Sequence, residues 1–245
     1  MKELASAGKD DRSYDRTDDN SRTSEAFRIL RMNLQFAAVD CELRVILVTS
    51  CLAGEGKSTV AQHLAQSISR TGKNVMILDV NLINPSLHLC FGIPNQQGLS
   101  NLIMGEADFT VFTRLDAYPN LCVITSGPVS PNSSELLGSM RMRHLMDRLR
   151  EEYDVIILDA SPLLSVTDAV IASSLADGVL LVIQAGHTHA ADMRRACDVL
   201  GAAHANLLGI VLNTARHRSR KEPAPPVRDR HELRVVRSSE ASMLT

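Results

Sequence analysis

Between Arg44 and Asn213, short apolar blocks alternate with longer stretches of mixed polarity. The blocks 45–49, 75–78, 121–125, 155–158, 179–183 and 207–212 are continuous and rich in β-branched residues. Strands covered on both faces read this way, because neither face meets water, and such strands make parallel sheets. The stretches 57–71, 133–150, 165–176 and 188–204 lie between most of these blocks and read as helices. Asn132 and Glu135 at the start of the second resemble a capping box. Strands alternating with helices predict an α/β fold: a doubly wound, mostly parallel sheet in a single domain. Sheets of this kind take their ligands at the C-terminal ends of the strands.

The flanks follow other rules. Residues 1–22 are polar, charge-mixed and aperiodic, which predicts a disordered lead. A helix over 23–39 follows, capped by Thr23 or Ser24, with Glu25 in its first turn. Phe27, Leu30, Leu34 and Ala37 recur at helical spacing and define its buried face. Residues 215–245 carry Arg216, Arg218, Arg220, Lys221 and further arginines among Pro223, Pro225 and Pro226. They predict an extended, disordered, basic tail, and the main domain spans 23–214.

Composition narrows the function classes. The 245 residues hold 26 Lys+Arg against 28 Asp+Glu, a net charge of -2, so no nucleic-acid-binding surface is expected. Aromatics are 3% with no Trp, which removes base-stacking platforms. No apolar run reaches the roughly 18 residues needed to cross a bilayer, and the polar start at Met1 and Lys2 reads against a signal peptide. The five cysteines are scattered without a Cys-x-x-Cys pair and read mainly as small buried hydrophobes. A soluble, cytoplasmic chain is expected.

The chemistry begins at Ser50-Cys51-Leu52-Ala53-Gly54-Glu55-Gly56-Lys57-Ser58-Thr59, between an apolar strand and a helix. Phosphates need backbone N–H groups aimed at them, and Gly54 and Gly56 allow the loop to curl that closely. The helix that follows points its positive end at the anion. Lys57 reaches the outer phosphates, and the Ser58 hydroxyl can hold Mg²⁺. Ala53, Gly54, Glu55, Gly56, Lys57, Ser58 and Thr59 are therefore the candidate nucleotide-binding residues. Asp79 and Asp159 each end an apolar strand. A carboxylate there can bind Mg²⁺ through water, or take a proton from an attacking hydroxyl. Cys51 lies in the same loop, where a helix N-terminus and Lys57 nearby could lower its pKa and give it a redox role, but a small residue filling a tight loop is the preferred reading.

Together these residues resemble the bacterial tyrosine kinases of capsule and exopolysaccharide synthesis, a P-loop NTPase fold unrelated to eukaryotic protein kinases. The resemblance runs over about residues 24–214. Gly54–Thr59 matches Walker A, Asp79 opens Walker A′ and Asp159 is the Walker B acid. Leu82 to His88, Gly127-Pro128, Glu135-Leu136-Leu137 and Thr167-Asp168-Ala169 match further stretches. The resemblance implies ATP and Mg²⁺ as cofactors, with Lys57, Asp79 and Asp159 catalytic and Ser58, Asp159 and Asp79 at the metal. Asn213, ending the last strand, is implied at the adenine. Glu25, Arg28 and Arg31 match the family's Glu-x-x-Arg-x-x-Arg helix, which implies a ring-shaped homo-oligomer. The family also implies a membrane chain-length regulator as activator, a tyrosine-bearing protein substrate, and a place at the inner membrane face through that partner.

Departures from the family pattern are specific. The Walker A′ segment commonly reads Asp-x-Asp-Leu-Arg-Arg-Pro, and here it is Asp79-Val80-Asn81-Leu82-Ile83-Asn84-Pro85. One carboxylate is an amide and both arginines are gone. The only tyrosines are Tyr14, Tyr118 and Tyr153, so the C-terminal tyrosine cluster is not matched. Both features favour the alternative of an ATP-binding switch or scaffold with little kinase activity. A ParA- or MinD-like positioning ATPase is more remote, because Leu52 stands where those proteins carry a second lysine.

Overall fold

The computed structural model describes residues 22–37, 42–108, 111–213 and 234–236. The strands are β1 (Val45–Ser50), β2 (Val75–Asp79), β3 (Thr113–Leu115), β4 (Tyr118–Ile124), β5 (Val155–Asp159), β6 (Gly178–Gln184), β7 (Leu207–Asn213) and β8 (Arg234–Val236). They form one sheet in the order β3-β4-β2-β5-β1-β6-β7-β8. The run from β4 to β7 is parallel, and β3 and β8 add antiparallel edges. The doubly wound, mostly parallel sheet is therefore present, with two edge strands that the apolar blocks did not mark. Both are three residues long, too short to leave a pattern.

Every side chain of β1, β2 and β5 is buried, as continuous apolar runs require. Val45 and Leu47 face one layer, while Ile46 and Val48 face the other, as the strand period of 2 dictates. One layer is built by α1 (Arg22–Ala37), α2 (Lys57–Ser69) and α3 (Leu87–Phe91), and the other by α4 (Leu99–Met104), α5 (Ser133–Gly138), α6 (Met140–Glu152), α7 (Asp168–Ser173) and α8 (Ala190–Ala202). Phe27, Leu30 and Leu34 of α1 pack into the first layer as expected, whereas Ala37 is exposed. Beneath the sheet, Asp177 ties the start of β1 by accepting the N–H groups of Arg44 at 2.9 Å and Val45 at 2.7 Å. Arg150 grips the same carboxylate with both terminal nitrogens, at 2.9 and 3.3 Å.

The helix expected over 133–150 is two helices. The Asn132 side chain makes no capping bond, so the expected capping box does not form. Ser139 is extended, with φ -71° and ψ 155°, and its hydroxyl accepts the Met142 N–H at 3.2 Å to start α6. The helix expected over 165–176 shrinks to α7, because Ser173 and Ser174 turn their hydroxyls back onto the carbonyls of Val170 and Ile171. The expected lead 1–22 and tail 215–245 lie largely outside the described residues. Within the tail, 234–236 pair with β7 as β8.

Candidate active site

β1, β2 and β5 are neighbours, and their C-terminal ends deliver three groups to one place. After β1 the loop from Cys51 to Gly56 curls upward into α2. Gly54 has φ +85° and Gly56 φ +88°, the left-handed region that other residues enter only at a cost. Ala53 and Gly54 are exposed, so the loop mouth opens to solvent. Gly56 ends the loop without any side-chain cap on α2, a helix end of the kind that can take an anion.

The loop is braced from within. Glu55 is fully buried, and its carboxylate accepts the Leu52 N–H at 2.8 Å and the Thr188 hydroxyl. Of the predicted phosphate-loop residues, Glu55 therefore offers backbone to the mouth while its side chain holds the loop's shape. Asn213, at the end of β7, donates from Nδ2 to the Glu55 carbonyl at 3.0 Å and so belongs to the same brace. Thr59 is exposed on the first turn of α2. Cys51 is completely buried, and burial with the nearby Glu55 charge pushes its thiol up to about 12. Cys51 packs into the core cluster beneath the loop.

Lys57, Ser58, Asp79 and Asp159 converge. Lys57 Nζ lies 3.1 Å from Ser58 Oγ and 3.8 Å from Asp159 Oδ1. Asp79 and Asp159 are paired in register on adjacent strands, and both are fully buried. Burial, and then the Asp159 charge, push the Asp79 carboxyl up to about 7, against the Leu87 N–H and Lys57, which pull it down. Burial also raises Asp159, partly opposed by Lys57 and the nearby Ser58 hydroxyl. Neither oxygen of Asp159 has a hydrogen-bond partner among the described residues. A buried carboxylate with both oxygens unmet, beside a serine hydroxyl and a second carboxylate, suits a hard divalent cation with oxygen ligands.

Asp79 is held differently. Its oxygens accept the N–H groups of Asn81 at 3.1 Å, Ser86 at 3.1 Å and Leu87 at 3.0 Å, so the segment 81–87 folds over it. Asn81 closes that segment, donating to the Asn84 carbonyl at 2.6 Å and accepting the Asn84 N–H at 3.2 Å. The sequence offered no sign of Ser86, whose hydroxyl lies 2.7 Å from that of Ser58. Nor did it mark Thr188, 133 positions from the Glu55 it supports. Glu25 and Arg28 lie on α1, exposed and paired at 2.7 Å, with Arg31 one turn on.

The family model ParA, described as NUBPL iron-transfer P-loop NTPase, matches residues 43–225. Tyrosine-protein kinase YwqD of Bacillus subtilis is 36% identical over 197 residues, which is 80% of this chain and 83% of YwqD. The chain belongs to the bacterial tyrosine-kinase family of capsule and exopolysaccharide synthesis. Solved members of that family share its fold. The chimerical protein CapA2B2 superimposes with a TM-score of 0.77 at 34% identity, over 81% of this chain and 87% of the other. The kinase domain of Escherichia coli ETK gives 0.75 at 31%, over 83% and 80%. MinD of Pyrococcus horikoshii, at 23% identity and a TM-score of 0.58, shares the fold alone. No helix among the described residues is long and apolar enough to cross a membrane.

Proposed function

We propose that the chain binds Mg·ATP at the phosphate loop and transfers the γ-phosphoryl group to a protein tyrosine. The observation that carries this reading is the buried Asp79–Asp159 pair, with both Asp159 oxygens unmet, facing Lys57 at the mouth of a glycine-bent loop. Mg²⁺, when bound, would offset charge on the β- and γ-phosphates, held by Ser58 and Asp159 with Asp79 beside it. The loop N–H groups and Lys57 cradle the phosphates, and Asn213 stands at the adenine side. Asp79 takes the tyrosine hydroxyl proton as the tyrosine oxygen bonds the γ-phosphorus and the bond to the ADP oxygen breaks. Asp79 can take that proton once the 81–87 segment frees one of its oxygens. Positioning and charge stabilisation supply most of the acceleration.

The same reading places α1 in a ring-like homo-oligomer. Glu25 and Arg28 line its outer face, and Ile29, Met32 and Phe36 expose 48%, 44% and 60% of their surface there. A membrane chain-length regulator is the proposed activator, which would bring the chain to the inner face of the membrane. One observation favours the second reading, an ATP-binding switch or scaffold: the Asn81 amide is consumed by Asn84 and is not turned to chemistry.

A phosphotyrosine assay in Mg·ATP, with and without a candidate activator, separates the two. Signal that vanishes in Lys57→Met supports the kinase and rejects the scaffold. Silence in every condition while ATP still binds rejects the kinase.

A further inference from the structure

We infer that Ser86 is a positioning residue for Ser58, holding the hydroxyl that would face the metal; this rests on the Mg·nucleotide reading of the site. A hydroxyl that gives a lone pair to a cation keeps its proton, and that proton needs an acceptor pointing away from the metal. Ser86 Oγ is 2.7 Å from Ser58 Oγ, a distance at which either hydroxyl can donate, and is placed to accept that proton once a cation takes the Ser58 lone pair. Lys57, which can only donate, already contributes a hydrogen to Ser58 Oγ at 3.1 Å, so the Ser58 proton points elsewhere in the metal-free protein as well.

Ser86 is itself fixed on both sides. Its N–H donates to Asp79 Oδ2 at 3.1 Å, and its carbonyl accepts the N–H groups of Leu89 and Cys90 as it starts α3. The far end of α3 is tied to α2, the helix that carries Ser58, because Gln62 Nε2 donates to the Cys90 carbonyl at 2.9 Å. The Asn81–Asn84 clamp closes the segment from its other end. Ser86 thus couples Asp79, at the end of β2, to the metal-facing hydroxyl of α2. No charge is needed in the link, only a hydroxyl at the right place.

The test measures Mn²⁺ binding to the full chain saturated with ADP, and ADP binding without metal, in wild type, Ser86→Ala and Ser86→Thr. Outer-shell partners of metal ligands are typically worth 10–100-fold in affinity, so Ser86→Ala is expected to weaken Mn²⁺ by about 10-fold, change metal-free ADP affinity by less than about 2-fold, and be rescued by Ser86→Thr. Unchanged Mn²⁺ affinity in Ser86→Ala, or a Thr variant as weak as Ala, overturns the assignment. Should Ser86→Ala fail to fold, Ser86→Thr and Ser86→Val, alike in shape and differing in the hydroxyl, give the same comparison. A wild-type chain that binds ADP with no dependence on metal would instead overturn the Mg·nucleotide reading itself.

Discussion

Replacing Gly56 by alanine isolates what the phosphate loop asks of its brace. The added Cβ would stand 2.1 Å from Asn213 Nδ2, far inside contact distance, at a backbone φ of +88°. Placing an L-residue in the left-handed region costs about 1–2 kcal/mol. Pushing the Asn213 amide aside breaks its bond to the Glu55 carbonyl and leaves buried polar atoms unmet, for about 1–3 kcal/mol more. The sum is about 2–5 kcal/mol. Gly54 supplies the control, because its φ is +85° yet a Cβ there meets nothing within 4 Å, so Gly54→Ala carries the conformational cost alone. Urea unfolding of both variants, and of Gly56→Ala in an Asn213→Ala background, gives the coupling directly. Gly56→Ala is expected to lose more stability than Gly54→Ala, and most of the excess should vanish without the Asn213 side chain. Equal losses at the two glycines, or an excess that persists without Asn213, would refute the reasoning.

Other perturbations follow from single contacts. Asn81→Asp removes the donor to the Asn84 carbonyl and adds a carboxylate beside Asp79, so metal-free stability should fall by about 1–3 kcal/mol in urea unfolding; no loss would show that the clamp is idle. Burial alone would raise the Asp177 carboxyl, but Arg150 and the N–H groups of Val45 and Arg44 outweigh it and hold it below its usual range. Its contribution is therefore full above the ordinary carboxylate range and is lost as pH falls through the lowered folded-state value. Asp177→Asn should cost about 1.5–3 kcal/mol at neutral pH, with the penalty shrinking in acid, and a pH-independent penalty would exclude the ion pair as its source. Cys51 should react with iodoacetamide in the native state more slowly than the half-buried Cys197, since it is 0% exposed and its thiol is pushed up to about 12. Fast labelling of Cys51, read by peptide mapping, would restore a redox role to the loop.

The central strands were legible because burial on both faces leaves a continuous apolar run, and six such runs became β1, β2, β4, β5, β6 and β7. The short pieces were not. Helices α3 and α4 have five and six residues, fewer than two helical turns, so no periodicity can develop. Their one local signal is the left-handed glycine that ends each, Gly92 at φ 63° and Gly105 at φ 79°. Likewise the site residues with a charge or a loop motif were found, and those that act through neutral hydrogen bonds were missed. Ser86 is a lone neutral hydroxyl between Pro85 and Leu87, and Thr188 reaches Glu55 only because β6 runs beside β1.

The departures at 81, 83 and 84 read in three dimensions as one change. An amide at 81 can both donate to and accept from the backbone of residue 84, and a carboxylate could only accept. With the carboxylate gone, arginines at 83 and 84 have less negative charge to balance, and Ile83 and Asn84 stand there instead. The segment is then closed by hydrogen bonds that need no ion, over an Asp79 that already receives three N–H groups. Two carboxylates remain beside Lys57, a formal charge of -1 for the three groups when all are ionised. What the chain gives up is a third negative group at the metal, and what it gains is a segment held in place before any metal arrives. On the proposed kinase mechanism, that segment must free one Asp79 oxygen before the carboxylate can accept a proton. The two Asn81–Asn84 hydrogen bonds oppose that release.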